Sequence, residues 1–297
     1  MKYARWRDPG QKSDLIHSFG CSPSMVSMAH QAGVRVVLTH IVDEMTSSSR
    51  SRRLWHCTRN ASIREFAPGP VRRLFPWQVL PAVDQLVYIN QADTETAIEL
   101  YGVPRRFTQL IPHGCSTNEI ELPQAGARET SSYLVSVGSI VARKNTVLLA
   151  RAAQRARVPV VFLGKPFNEV DPYFTEFKDL VDGEYVIYPG YVTEDEKTAW
   201  MVGASGYVLA SRAESGCIAV YEAAAAGLPM LLSDLPWARA YGRYPALHLV
   251  QPVEYALAER LKPFFDASRR LQGCTFPVAS WDEIAEKYIS VYQQALS

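Results

Sequence analysis

Short runs of β-branched and aliphatic residues recur along the chain, separated by segments long enough to form helices. Nine such runs predict strands, at 34–39, 85–89, 109–111, 133–137, 158–163, 185–187, 206–209, 229–232 and 246–250. VPVVFL and GYVLA are apolar on both faces, as strands of a parallel sheet covered by helices must be. The alternation predicts an α/β fold built from doubly wound, Rossmann-like sheets. Near the end, Ile284, Tyr288, Ile289, Tyr292 and Leu296 fall on one helical stripe after Pro277 and a Ser280 cap. This predicts an amphipathic helix over 281–296 that packs on a domain surface.

The periodicity fails between Pro112 and Ser132, where Gly, Pro, Ser and charge collect, and an interdomain linker is expected there. A chain of 297 residues exceeds what one core usually organises. The reading is a partial N-terminal domain at 1–122, a C-terminal domain at 123–278, and a closing helix at 279–297 that packs back on the first.

Composition narrows the function. With 47% apolar residues each domain has core-forming material, and no run of about 18 apolar residues appears. Met1 to Gly10 carries Arg5, Arg7 and Asp8 where a secretion signal needs an apolar segment, so a cytoplasmic protein is expected. The five cysteines (Cys21, Cys57, Cys115, Cys217 and Cys274) contain no Cys-x-x-Cys pair, which argues against a disulfide framework and a structural zinc site. A net charge of +1 argues against nucleic acid as partner. Residues 1–75, however, hold twelve Lys and Arg against five Asp and Glu, an excess of 12 − 5 = +7. Arg50, Arg52, Arg53, Arg59, Arg64, Arg72 and Arg73 form its densest part. Two readings stand: a solvated surface, or a face for anionic lipid or a phosphorylated acceptor at the inner side of a membrane.

The candidate chemistry lies in ASRAESGCIAVYEAAAAGLPMLLSD, residues 210–234. A strand turns through small polar residues into a helix expected over 218–226, ended by Gly227 and Pro229. The backbone N–H groups of Gly216, Cys217 and Ile218, with about half a positive charge from the helix dipole, offer a seat for a diphosphate. Glu214 precedes that seat and Glu222 follows eight residues on, so the two reach different parts of one extended ligand. A second strand–turn, VSVGSIVARKN at 135–145, brings Gly138 and then Arg143 and Lys144 to a helix start. A leaving nucleoside diphosphate gains negative charge as its bond to the sugar breaks, and such preorganised cations stabilise it.

These segments resemble the retaining glycosyltransferases of the GT-B fold, the group 1 or family 4 type. Glu214 and Glu222 resemble that family's E-x7-E motif, EAAAAGLPMLLSD its small-residue helix and strand, and LVSVGSIVARKN its phosphate-contacting turn. AVDQLVYINQADTETAIELYGVPRRFTQLIPHGCS resembles the segment closing the acceptor domain, and VIYPGYVTEDEKTAWMVGAS the strand–turn–helix near the nucleotide base. The resemblance implies that Glu214 binds donor-sugar hydroxyls, Glu222 the ribose, and Arg143 and Lys144 the diphosphate. It further implies that Gly190 and Val192 approach the base, that His40 stands near the reacting sugar, and that His17 is structural. ESGC departs from the common E-G-F-G and puts Cys217 where a phosphate wants no side chain. No strand, glycine-rich loop and helix precede Asp14, so the N-terminal domain reads as shortened. The implied activity is metal-independent, retaining hexosyl transfer from a UDP- or GDP-sugar to a glycan, lipid-linked or small-molecule acceptor, without a cofactor. The alternative is a non-catalytic sugar-nucleotide-binding protein or a subunit completed by a partner.

Overall fold

The computed structural model describes residues 12–72, 74–116, 132–270 and 278–297. Arg73, Cys274, the polar N-terminal decapeptide and most of the expected linker lie outside the described residues. By contacts the chain divides into two compact units, Met1–Pro112 with Ala285–Ser297, and His113–Ile284.

The first unit runs β1 (Leu15–Ser18), α1 (Pro23–Gln31), β2 (Arg35–Thr39), α2 (Arg50–Phe66), α3 (Gly69–Arg72), β3 (Gln85–Tyr88), α4 (Gln91–Tyr101) and β4 (Thr108–Leu110). Its strands pair in parallel in the order β1-β2-β3-β4. Helix starts are set by local chemistry: the Ser22 hydroxyl accepts from the Met25 N–H before α1, and the Asn90 side chain caps α4. Gly102, in the left-handed region at φ 67°, ends α4. Val36, Leu38, Leu80, Leu86 and Tyr88 form the centre of the core. The strand β1 was not foreseen, because LIHS is only half buried along its length and so lacks an apolar run. It is held instead by His17, whose ring nitrogens lie 2.8 Å from Thr39 Oγ1 and 2.8 Å from the Tyr292 hydroxyl.

The second unit contains β5 (Leu134–Val137), α5 (Thr146–Ala156), β6 (Val160–Leu163), α6 (Pro172–Asp179), β7 (Val186–Ile187), α7 (Glu194–Gly203), β8 (Gly206–Leu209), α8 (Ile218–Ala225), β9 (Met230–Ser233), α9 (Pro236–Arg239), β10 (Leu247–Val250) and α10 (Glu254–Ser268). The last helix, α11 (Trp281–Leu296), begins in this unit, and its residues from Ala285 onward belong to the first. All six strands are parallel in the order β10-β9-β8-β5-β6-β7, a doubly wound sheet whose winding reverses between β5 and β8. Successive strand residues feed opposite cores. Leu134, Val160 and Val208 pack with Leu149 of α5 and Leu261 of α10, whereas Val135, Val161 and Tyr207 pack with Met201 of α7 and Val220 of α8. Covering both faces is what makes these strands apolar throughout. All nine foreseen strands are present, with ends within two residues of those expected. Among the described residues no helix is long and apolar enough to cross a membrane.

Candidate functional site

The reversal between β5 and β8 opens a crevice at the carboxyl ends of the strands, where open parallel sheets bind ligands. After β5 the chain turns at Gly138, φ 153°, whose N–H donates to the Leu163 carbonyl at 2.9 Å. Gly164, φ 146°, lies so close that a Cβ there would sit 2.2 Å from the Gly138 oxygen. Two glycines thus let the backbones leaving neighbouring strands approach closely, although only Gly138 stood out in the sequence.

A single 3-10 turn, Ala142–Lys144, then presents Arg143 and Lys144 to the crevice before Asn145, at φ 57°, opens α5. The loop after β8 is tied to this turn, since the Arg212 N–H donates to the Arg143 carbonyl at 2.8 Å and Arg212 Nε to Asn145 Oδ1 at 3.0 Å. That loop delivers Glu214, 5% exposed, with its carboxylate 3.2 Å from Arg143 Nη1 and 2.6 Å from Lys144 Nζ. A carboxylate so deeply buried requires paired charge, so the two cations expected to hold a diphosphate also neutralise Glu214. Two cations and one carboxylate leave this cluster at +1, while Lys197, Glu194 and Glu222 bring the crevice lining as a whole to zero. Glu214 Oε1 contacts Lys144 off hydrogen-bonding alignment and keeps its acceptor capacity.

Cys217 is the N-cap residue of α8, but its side chain turns into the core, where burial pushes the thiol up to about 11. Its backbone lies beside the Tyr241 hydroxyl, and the residue itself lines the crevice. Gly216, Ile218 and Ala219 line the crevice beside it. His113, of the IPHG segment, fixes Gly216 through a hydrogen bond to its backbone and packs against Tyr221 and Trp281. Burial lowers the His113 pKa, and the Gly216 bond partly offsets that.

On α8, Glu222 Oε1 lies 2.8 Å from Lys197 Nζ, which also reaches Glu194 at 2.6 Å. Burial would lower the Lys197 pKa, but its bonds to Glu194 and Glu222 outweigh it, and the net shift is upward. Lys197 stays a cation. Sequence reasoning missed it; the only local signal was its spacing from Glu194, which marks any helix surface equally well.

The crevice measures about 720 Å3 and is lined by residues of the second unit alone, among them Cys115, Ser116, Gly138, Arg143, Lys144, Lys197, Glu214, Glu222 and Trp281. That volume suits a small organic ligand. Gly190 and Val192, expected near the base, do not line it; Val192 packs against the core beside Tyr207, and Gly190 adopts φ 86°. His40 belongs to the first unit, where Nδ1 lies 3.3 Å from the Tyr88 hydroxyl and the ring meets Tyr88 and Tyr101 edge-on. Burial lowers its pKa to about 4, so the imidazole is neutral near pH 7. Among the described residues no group of three or more His, Cys, Asp or Glu could hold a metal ion.

Known proteins share this architecture. S. aureus TarM, solved with UDP, matches at a TM-score of 0.59 and 12% identity over 88% of this chain, which spans 51% of TarM. The sucrose-phosphate synthase of Thermosynechococcus elongatus matches at 0.61 and 19% over 95% of this chain and 73% of its own. The pneumococcal O-GlcNAc transferase GtfA, in complex with UDP and GlcNAc, matches at 0.60 and 14% over 93% of this chain and 56% of its own. No curated protein sequence matches the chain. Residues 117–243, which include Arg143, Lys144, Glu214 and Glu222, match the family of glycosyl transferases group 1, and the two parallel sheets have the Rossmann-like form of GT-B glycosyltransferases.

Proposed function

We propose that this chain is a glycosyltransferase that moves a hexose from a nucleoside diphosphate donor to a glycan, lipid-linked or small-molecule acceptor. The observation that carries this reading is the buried Glu214 flanked by Arg143 and Lys144 in a crevice at the sheet's switch point. Arg143 and Lys144, together with the Gly216, Cys217 and Ile218 amides, receive the diphosphate, whose negative charge grows as the glycosidic bond breaks. Cations already in place need no rearrangement at that moment, and they supply the charge stabilisation without a metal. Glu214 Oε1, with acceptor capacity to spare, takes a hydrogen bond from a donor-sugar hydroxyl. Glu222, held by Lys197, takes the ribose. His40 serves as a neutral hydrogen-bonding group near the reacting sugar.

UDP is the first donor base to test, because TarM and GtfA were solved with it, and GDP the second. Retention and a family 4 mechanism rest on the E-x7-E resemblance. The expected setting is the cytoplasm, at the inner face of a membrane. Purified protein is offered UDP-, GDP- and ADP-sugars with acceptor extracts, and nucleotide release is followed. Release that Lys144→Ala lowers about a hundredfold, with Glu222→Ala weakening donor affinity about tenfold, supports the reading. Saturable binding without release in any acceptor extract points instead to a sugar-nucleotide-binding subunit, and absence of binding overturns both.

A further inference from the structure

The first unit carries an exposed face that the donor chemistry does not use. Between Arg50 and Arg72 six arginines oppose one acidic residue, Glu65. Asn60 alone is fully buried in α2, whereas Leu54, Trp55 and Phe66 are 65%, 58% and 82% exposed, with Val71 and Leu74 exposed just beyond. At 100° per residue Leu54, Trp55 and Phe66 share an arc of about 120° opposite Asn60, spread over about 18 Å of helix. Arg50 borders this arc on one side, and Arg52 and Arg59 border it on the other. Arg53 pairs with Glu99, Arg64 donates to the Tyr101 carbonyl, and Arg59 lies over the Trp55 ring at 4.9 Å. No carboxylate pairs with Arg50, Arg52 or Arg72 among the described residues.

We propose that this face docks on an anionic phospholipid bilayer. Leu54, Trp55 and Phe66 enter the boundary between headgroups and acyl chains, while Arg50, Arg52 and Arg72 meet headgroup phosphates. Charge complementarity selects the occupant, since a neutral surface gains nothing from three uncompensated guanidinium groups. A protein groove would require apolar anchors at helical spacing through the middle of the arc, and there the chain places Ser51, Thr58, Ser62 and the exposed Glu65. Two apolar ends, an interfacial Trp and flanking arginines match a helix lying flat in a membrane interface.

The full chain, without nucleotide, is sedimented with vesicles of phosphatidylcholine alone and of phosphatidylcholine with phosphatidylglycerol, at low and high salt. The expected result is about tenfold stronger partition to the phosphatidylglycerol vesicles, lost at high salt. Leu54→Ser with Phe66→Ser lowers that partition about tenfold, and Arg50→Gln with Arg52→Gln removes the lipid preference. Tryptophan emission shifts to the blue on binding, and Trp55→Phe reduces the shift. Equal partition to both vesicles, partition to neither, or wild-type binding by the variants overturns the proposal. Should the Ser variants misfold by circular dichroism, the arginine pair and the salt titration of the wild type still decide it. No step needs a nucleotide sugar, so the outcome stands apart from that of the transferase assay.

Discussion

Glu214 is the residue whose surroundings most constrain the site. Its spacing from Glu222 was visible in the sequence, but its salt links to Arg143 and Lys144 were not, because they join residues about seventy positions apart. Gly164 was equally hidden, since only the approach of the Gly138 carbonyl reveals that a side chain cannot fit. Gly164→Ala must displace backbone rather than a pliable side chain, and it forces alanine to φ 146°. The expected cost is about 2–4 kcal/mol of stability, with weaker nucleotide binding as the Gly138 turn shifts. Thermal unfolding and a UDP titration of the variant check both, and a wild-type melting temperature would contradict the close approach. His40 yields a pH prediction. Its folded pKa, about 4, lies below the unfolded value of 6.5, so the unfolded state binds more protons between the two. Stability is therefore fully present above pH 6.5 and declines by about 3 kcal/mol as pH falls toward 4. Urea unfolding at pH 7.5 and 4.5 should show the wild type losing more than His40→Gln; parallel losses would exclude His40 as the cause.

Among the elements, strands were easier to foresee than the ligand-facing turns at the helix starts. Strands covered on both sides are continuous apolar runs, so nine were legible. β1 was not, because only Ile16 adds to the core from it and His17 contributes side-chain hydrogen bonds that carry no apolar signature. The α8 start was legible as a helix N-terminus, yet the burial of the Cys217 side chain against the core was not, since its neighbours there are brought together only by folding. Helix α7 matters because it carries Lys197 to Glu222. Its start is a capping box, in which Thr193 Oγ1 accepts from the Glu196 N–H at 3.3 Å and Glu196 accepts from the Thr193 N–H at 2.8 Å. Thr193→Ala should cost about 1 kcal/mol and loosen the first turn, with donor affinity falling as Glu222 loses its fixed partner. Thr193→Ser should restore both properties. If Thr193→Ala binds nucleotide like the wild type, the cap does not position Lys197.

For the whole molecule, the crevice lies within one unit, and the response to nucleotide should too. At a hundredfold excess over its dissociation constant UDP stabilises the state that binds it by about 2.7 kcal/mol. Hydrogen exchange should slow at Gly138 to Asn145 and at the start of α8, while β1 to β4 exchange as before. Protection confined to β1 to β4 would place the nucleotide elsewhere. The division of the chain has a further consequence for how it is made. Tyr288 and Tyr292 pack at a tilt against the His17 ring, and Val291 and Ala295 are buried, all within the first unit. A ribosome synthesises every residue of the second unit before it reaches these side chains. The four-stranded sheet is translated first, yet until α11 emerges its His17 lacks the Tyr292 partner and the ring contacts that hold half-buried β1, and the unit completes its core only at the end of synthesis.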